Sequence, residues 1–447
     1  MFILRDLLTP LQQQFSTTKQ GQKRAVWFAY TLLAVVVPFT SSMTSNLLRA
    51  LHTLFALPVQ SQRFYTFMAS PTLPWSRLWR TMWGLIPNAA TEGRVLVAVD
   101  DSINPKSGKK IFACGHFHQH AAKDNQSSYP WSQCILAIGL LKQVKSRWAC
   151  LPLDFRFYLM HKDIAANSIN TQRHGQSVCF ASKMEQAATM LKGVFDHFQQ
   201  PLLAVTDSWF GNDGLWSRLD RGRRGDFHLL SRLRTNIILY DLITQAAKDK
   251  KRQRGRPRKY GERHGSVAEC AAGHRQQAQS YTVFLYGKQR EVQAYTQVVM
   301  LKTMKCSVRV VWVFRKTRYL ALMTTDLTLS VKQIIEYYGA RWKIEAGFKE
   351  IKQEIGSAKT QTRNAQAVIN HLNFCMMATT LTWVYADRLA HAPDRRHKIR
   401  GRSSFAFSDV RRIVAEVALD PDFQSVCPGP TQTAQNSFVA TLLRMVA

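Results

Sequence analysis

Arg94-Val-Leu-Val-Ala-Val-Asp-Asp101 is an apolar, β-branched run that closes on two carboxylates. A short run of this kind without polar alternation reads as a strand buried on both faces, at the centre of a sheet covered by helices. Pro201-Leu-Leu-Ala-Val-Thr-Asp207 repeats the pattern, a buried strand closing on an acid. Residues 110–118 and 132–141 read as two further strands between them, and 227–233 as a fifth. Residues 181–198 carry Met184, Ala187, Ala188, Leu191, Val194, Phe195 and Phe198 at helical spacing.

Working outward, the pattern changes after residue 234. Residues 235–328 alternate apolar and polar at period two in YTVFLYG, VQAYTQVVML, CSVRVVWVF and YLALMTTD, which predicts a mostly antiparallel β unit. Two helical stretches follow, at about 329–355 and 364–390. The order β-β-β-α-β-α-β, with acids at the ends of the first and fourth strands, outlines an α/β fold. Its centre is a ribonuclease-H-like mixed-sheet domain (residues 91–234 and 329–360) with a β-rich insertion (235–328). Helical regions flank it at 1–90 and 361–447.

The first helical stretch contains Tyr338-Gly-Ala-Arg341-Trp-Lys-Ile-Glu345, with Lys352 seven residues on. Steps of three, four and seven residues put Tyr338, Arg341, Glu345 and Lys352 within one helical stripe. An acid between a phenol and two cations suits a metal-binding carboxylate flanked by groups that grip phosphate.

Composition narrows the partner. The chain has 447 residues and 46% hydrophobic content, so it builds real cores, yet 61 Lys+Arg against 29 Asp+Glu leave it at +32. Such an excess favours nucleic acid, where each neutralised phosphate releases counterions. The eight cysteines contain no C-x-x-C pair and read as reduced core residues of a cytoplasmic, nucleoid-associated protein. The charge-free segment 25–48 imitates a membrane element, but its apolar part, Ala25 to Phe39, is only 15 residues and ends at Pro38-Phe39. It reads as a buried core helix, with no membrane partner.

Cutting or transferring a phosphodiester is served by two divalent cations about 4 Å apart. Asp101, Asp207 and Glu345 meet the need for hard oxygen ligands if the two strands are neighbours and the last helix packs across them. Asp100 competes for the first position, because alternation lets only one of the pair face the site. Asp101 is favoured on the reading that it ends the strand and precedes Ser102.

These residues resemble a known family. Y-x2-R-x3-E-x6-K on a helix, D-S after one apolar strand and D-S-W-F-G-N after another are similar to the DDE transposases of bacterial insertion sequences, in the cut-and-paste group whose glutamate helix bears this pattern. Gly115-His-Phe-His-Gln-His-Ala-Ala-Lys-Asp-Asn-Gln-Ser-Ser-Tyr-Pro-Trp131 resembles the core of one branch of that group. The resemblance implies a Mg²⁺-dependent enzyme (two ions, with Mn²⁺ able to substitute) held by Asp101, Asp207 and Glu345. It implies that Tyr338, Arg341 and Lys352 hold transposon-end phosphates and an excision hairpin. Trp342 would stack on or brace DNA, and Tyr319 (or Trp312) would stack on a flipped base. The partners implied are double-stranded DNA, as terminal inverted repeats and target, and a second copy of the chain in a synaptic homodimer. A structure-selective nuclease on the same fold and a catalytically vestigial DNA-binding protein are the alternatives.

Three further stretches carry expectations. Lys248-Asp-Lys-Lys-Arg-Gln-Arg-Gly-Arg-Pro-Arg-Lys259 has eight basic residues, and its Arg254-Gly-Arg256-Pro core resembles an AT-hook that lies in a narrow minor groove. The alternative is a solvated basic loop on phosphates. Residues 1–90 interleave basic and aromatic groups at Arg63-Phe-Tyr65 and Trp75-Ser-Arg77-Leu-Trp79-Arg80, as in a small helical DNA-binding domain, or else form a helical cap. Cys114-x-His116-x-His118-x-His120 has the spacing of a strand ladder, not of a usual zinc site, and suggests DNA contact or core hydrogen bonding. The 361–447 region is expected to serve synapsis.

Overall fold

The computed structural model describes residues 2–119, 122, 124–219, 225–243, 260–397, 404–427, 439 and 441–443. Its strands are β1 (Val95–Pro105), β2 (Cys114–His116), β3 (Trp131–Val144), β4 (Arg147–Tyr158), β5 (Gln172–Arg173), β6 (Gln176–Ser177), β7 (Leu202–Thr206), β8 (Phe227–Arg232), β9 (Ile238–Tyr240), β10 (Arg263–Ser266), β11 (Gln279–Leu285), β12 (Lys288–Leu301), β13 (Cys306–Arg315) and β14 (Arg318–Thr324). All but β5 and β6 join one sheet, ordered β10-β9-β12-β13-β14-β8-β7-β1-β3-β2, with β11 on β12 and β4 on β3.

The centre of that sheet is ribonuclease-H-like. β1 lies antiparallel to β3 and parallel to β7, β7 lies parallel to β8, and β4 closes the far side of β3. The β-rich insertion is antiparallel throughout and extends the same sheet, because β14 pairs with β8 through Leu322–Arg232, Met323–Ser231 and Thr324–Leu230. Two strand expectations need correction. Within 110–118 only Cys114–His116 pairs as a strand, and the third central strand is Arg147–Tyr158. Pro152 and the charged Asp154 and Arg156 broke the apolar pattern there, and a register shift at Ile138/Gly139 accommodates the proline.

Period-two alternation sorts β1 between two apolar layers. Val95, Val97 and Val99 pack with Leu202 and Ala204 beneath the helix Lys183–Phe198 and the helices of both termini. Leu96 and Ala98 pack with Leu203, Val205, Leu230, Ile334, Ile335 and Ile344 beneath the helices Val331–Ala340 and Trp342–Lys349. Each fully buried Val or Leu contributes roughly 1.5–3 kcal/mol, so the register of β1 is strongly fixed.

The termini form one helical layer. Helix Ala365–Arg388 is buried along most of its length, including Asn370, His371 and Thr379. Trp75 and Trp79 turn inward and donate their indole N–H to Asn370 and Asn373, both at 2.8 Å, leaving Arg77 and Arg80 exposed. The segment 25–48 supplies the buried C-terminal part of the helix Lys19–Val36 and the start of the helix Thr44–Phe55. No helix among the described residues is long and apolar enough to cross a membrane.

Candidate active site

β1 and β7 run in parallel with Val99 opposite Thr206, so the next residues, Asp100 and Asp207, lie side by side where β7 ends. Asp100 continues the Leu96–Ala98 series and faces the glutamate helix. Its Oδ2 accepts a hydrogen bond from Arg341 Nη1 at 3.3 Å, and Arg341 Nη2 donates to Glu345 Oε1 at 3.0 Å. One buried guanidinium therefore bridges the two carboxylates. Asp100 Oδ1 accepts from the Asp101 N–H at 2.9 Å. Burial pushes the Asp100 carboxyl up to about 7, with Arg341 and the Asp101 N–H opposing the shift and the charges of Asp207 and Asp101 adding to it.

Asp207 opens the turn that leaves β7. Its Oδ1 accepts from the Trp209 and Phe210 N–H groups at 3.0 and 3.1 Å, and its carbonyl accepts from Gly211 N and Ser231 Oγ. A Cβ on Gly211 would lie 1.9 Å from Ser231 Oγ, so this position of the D-S-W-F-G stretch requires glycine.

Asp101 lies on the other face. Its Oδ2 accepts from Lys183 Nζ at 2.7 Å and from the Cys134 thiol at 3.4 Å. Burial pushes that thiol up to about 12. The reading that favoured Asp101 took it as the end of the strand, but β1 pairs on through Ser102, Ile103 and Asn104 to Pro105, so alternation governs both acids.

The remaining helix residues are reached in different ways. Tyr338 is buried, with Arg341 5.8 Å from its ring centre, whereas Trp342 is 50% exposed with Arg341 5.4 Å from its ring. Lys352 does not continue a straight stripe, because the α-helix gives way to a π turn at Glu350–Glu354. Its Nζ donates to Ser102 Oγ at 2.5 Å and Ile103 O at 2.6 Å, and burial lowers its pKa to about 8. That anchors the helix to β1 two residues beyond Asp100.

Of the insertion's aromatics, Trp312 is fully buried and donates to Val267 O, and Tyr319 is partly buried opposite Phe314. Arg254 and Arg256 lie outside the described residues, as does His120. His116 bonds Tyr129 O at 3.0 Å. Three neighbours of the acids went unread in the sequence: Lys183, Arg232, whose charge acts on Tyr338, and Trp209, which is 43% exposed with Lys183 Nζ 5.4 Å from its ring. Trp209 stood within D-S-W-F-G-N, while nothing in the spacing of Lys183 linked it to Asp101.

The donor set is all oxygen, drawn from the middle of β1, the end of the adjacent β7 and a helix across them, which suits a hard divalent cation. The three carboxylates do not converge to within 4.8 Å of one another, since Arg341 is wedged between two of them as the local positive charge. These carboxylates would supply oxygen ligands to a divalent cation, whose charge would replace that which Arg341 supplies to them here. No curated protein matches the chain. A family model described as DDE superfamily endonuclease matches residues 10–293, a span that includes Asp100, Asp101 and Asp207 and ends before Glu345, and the chain belongs to that family.

Proposed function

We propose that this endonuclease-family chain is a DNA transposase, and that Asp100, Asp207 and Glu345 are its metal-binding acids. The observation that carries the assignment is Arg341 bridging Asp100 and Glu345 on the face that Asp207 adjoins. Bound Mg²⁺ or Mn²⁺ would lower the pKa of the attacking oxygen and neutralise charge on the departing one. In this reading Arg341 and Lys352, released from the partners they hold here, would grip phosphate oxygens, and Trp342 offers an exposed face for stacking. In the first step a water oxygen bonds to phosphorus and the P–O3′ bond breaks, leaving a 3′-OH. That hydroxyl then attacks a phosphate of the opposite strand and displaces the flanking 3′ oxygen to give a hairpin; water at that phosphate reopens it and restores the 3′-OH, which attacks a target phosphate and displaces its 3′ oxygen.

Asp101 is a positioning residue in this reading, tied through Lys183 to the helix beneath β1. Two copies of the chain would hold a pair of element ends. The test is cation-dependent cleavage and joining of DNA from the inverted repeats flanking the gene, by wild type and by Asp100→Asn, Asp101→Asn, Asp207→Asn and Glu345→Gln. Loss of cleavage in all but Asp101→Asn is expected. Normal cutting by Asp100→Asn with loss in Asp101→Asn would return the assignment to Asp101. Cleavage without joining would make the chain a nuclease.

A further inference from the structure

A second cluster of ligand-type side chains lies in the insertion, away from the carboxylates. His264, Cys270 and His274 bring one donor atom each to within 4.8 Å of the others, and no other group of three His, Cys, Asp or Glu does so among the described residues. We propose that this cluster is a zinc site.

The local sequence assembles it. Cys270 and His274 are four residues apart on the helix Val267–His274, hence on one face. His264 arrives from β10 through Gly265, whose φ of 136° is disfavoured for other residues. Ser266 caps the helix, accepting from Glu269 N at 3.1 Å while Glu269 Oε2 accepts from Ser266 N at 2.6 Å. This reciprocal cap fixes the angle between strand and helix, and so the approach of His264 to Cys270.

The surroundings are those of a ligand set. His264 Nδ1 lies 3.2 Å from Asp241 Oδ1, an arrangement that holds the proton on Nδ1 and leaves Nε2 for a metal. His274 stacks on Tyr295 at 4.0 Å and meets Trp312 edge-on at 5.2 Å, and the Gln297 side chain faces it. Its Nε2 and the Gln297 Oε1 are both buried outside good hydrogen-bond geometry, and a metal bond to Nε2 would satisfy the ring nitrogen in full. Cys270 is buried beside them.

Two imidazoles and a thiol are borderline-soft donors, preferred by Zn²⁺ and poor for the hard cation that carboxylates select. Metal–ligand bonds of about 2.0–2.3 Å in a tetrahedron set donor atoms roughly 3.3–3.6 Å apart, a separation within reach of this cluster, with water at the fourth position. Binding displaces the Cys270 thiol proton to solvent and changes no oxidation state. The ion would staple the helix to β10, on the outer strands of the sheet that leads into the glutamate helix.

The full chain, purified with zinc in the medium and dialysed, should carry about one zinc per molecule by elemental mass spectrometry. Cys270→Ser and His274→Asn should lose it, while Asp100→Asn/Glu345→Gln should keep it. Retention of zinc by Cys270→Ser, or its loss with the carboxylates, overturns the proposal. Should the cluster variants misfold, Co²⁺ replacement in the wild-type chain decides. A thiolate-to-cobalt charge-transfer band supports the site, and its absence refutes it.

Discussion

Arg411 joins three parts of the chain that are far apart in sequence, and its removal tests how the glutamate helix is held. It projects from helix Phe407–Ala418 and is 5% exposed. Its Nε donates to Val36 O at 2.8 Å, Nη2 to Val35 O at 3.2 Å and Nη1 to Glu354 O at 2.6 Å. Val35 and Val36 end helix Lys19–Val36, where carbonyls have no partners within the helix, and Glu354 ends the π turn after Glu345. Each hydrogen bond from a charged donor is worth roughly 1.5–3 kcal/mol, about 4.5–9 kcal/mol for the three. Burial opposes this by lowering the Arg411 pKa to about 10 from 12.5, which corresponds to roughly 3 kcal/mol against the buried charge.

Arg411→Met keeps the bulk of the stem and leaves the buried Val35 and Val36 carbonyls, and the part-buried Glu354 carbonyl, without their donor. It should destabilise the chain by about 3–5 kcal/mol. Arg411→Lys keeps the charge but cannot span three diverging acceptors, and should lose about half as much. Urea unfolding followed by tryptophan fluorescence reads both values. A midpoint for Arg411→Met within about 1 kcal/mol of wild type, or Arg411→Lys equal to wild type, would refute the reasoning.

Three other outcomes are expected. Asn370→Leu should cost about 3–5 kcal/mol in the same unfolding assay, because Asn370 accepts from Trp75 and Gln366 and donates to the Met68 and Ser70 carbonyls, all while buried. His371 is fully buried on Ser42 O, and burial lowers its pKa to about 4 from 6.5. The unfolded chain therefore binds the extra proton between those values, and this contribution, roughly 3 kcal/mol, is present above pH 6.5 and lost as pH falls through 4. His371→Gln should flatten stability against pH across that window. Trp342→Ala should weaken DNA binding by about tenfold in fluorescence anisotropy, as one stacking contact is worth roughly 1–3 kcal/mol, without moving the unfolding midpoint.

What the sequence made legible follows from where its signals are strong. β1 and β7 were readable because strands buried on both faces leave continuous apolar runs, and their shared register then set Asp100 beside Asp207. β4 was not readable, since Pro152, Asp154 and Arg156 interrupt the run that β3 and helix Ala365–Arg388 bury. Trp75 and Trp79 looked like nucleic-acid contacts because composition does not record direction. Their indole N–H groups are consumed by Asn370 and Asn373, nearly three hundred residues on.

The choice between Asp100 and Asp101 shows the same limit at the scale of one residue. Alternation requires one acid on each face, yet which face belongs to the glutamate helix depends on where Arg341 lands, and that is decided by the packing of Ile334, Ile335 and Ile344 on Leu96 and Ala98. The π turn at Glu350–Glu354 adds a residue to the helical repeat, so Lys352 meets β1 at Ser102 instead of following Glu345 in line. A one-residue slip of β1 would exchange Asp100 for Asp101 opposite Arg341. It would also move Leu96 and Ala98 out of one layer and Val95, Val97 and Val99 out of the other, and the burial of those side chains is what holds Asp100 on the side of Glu345.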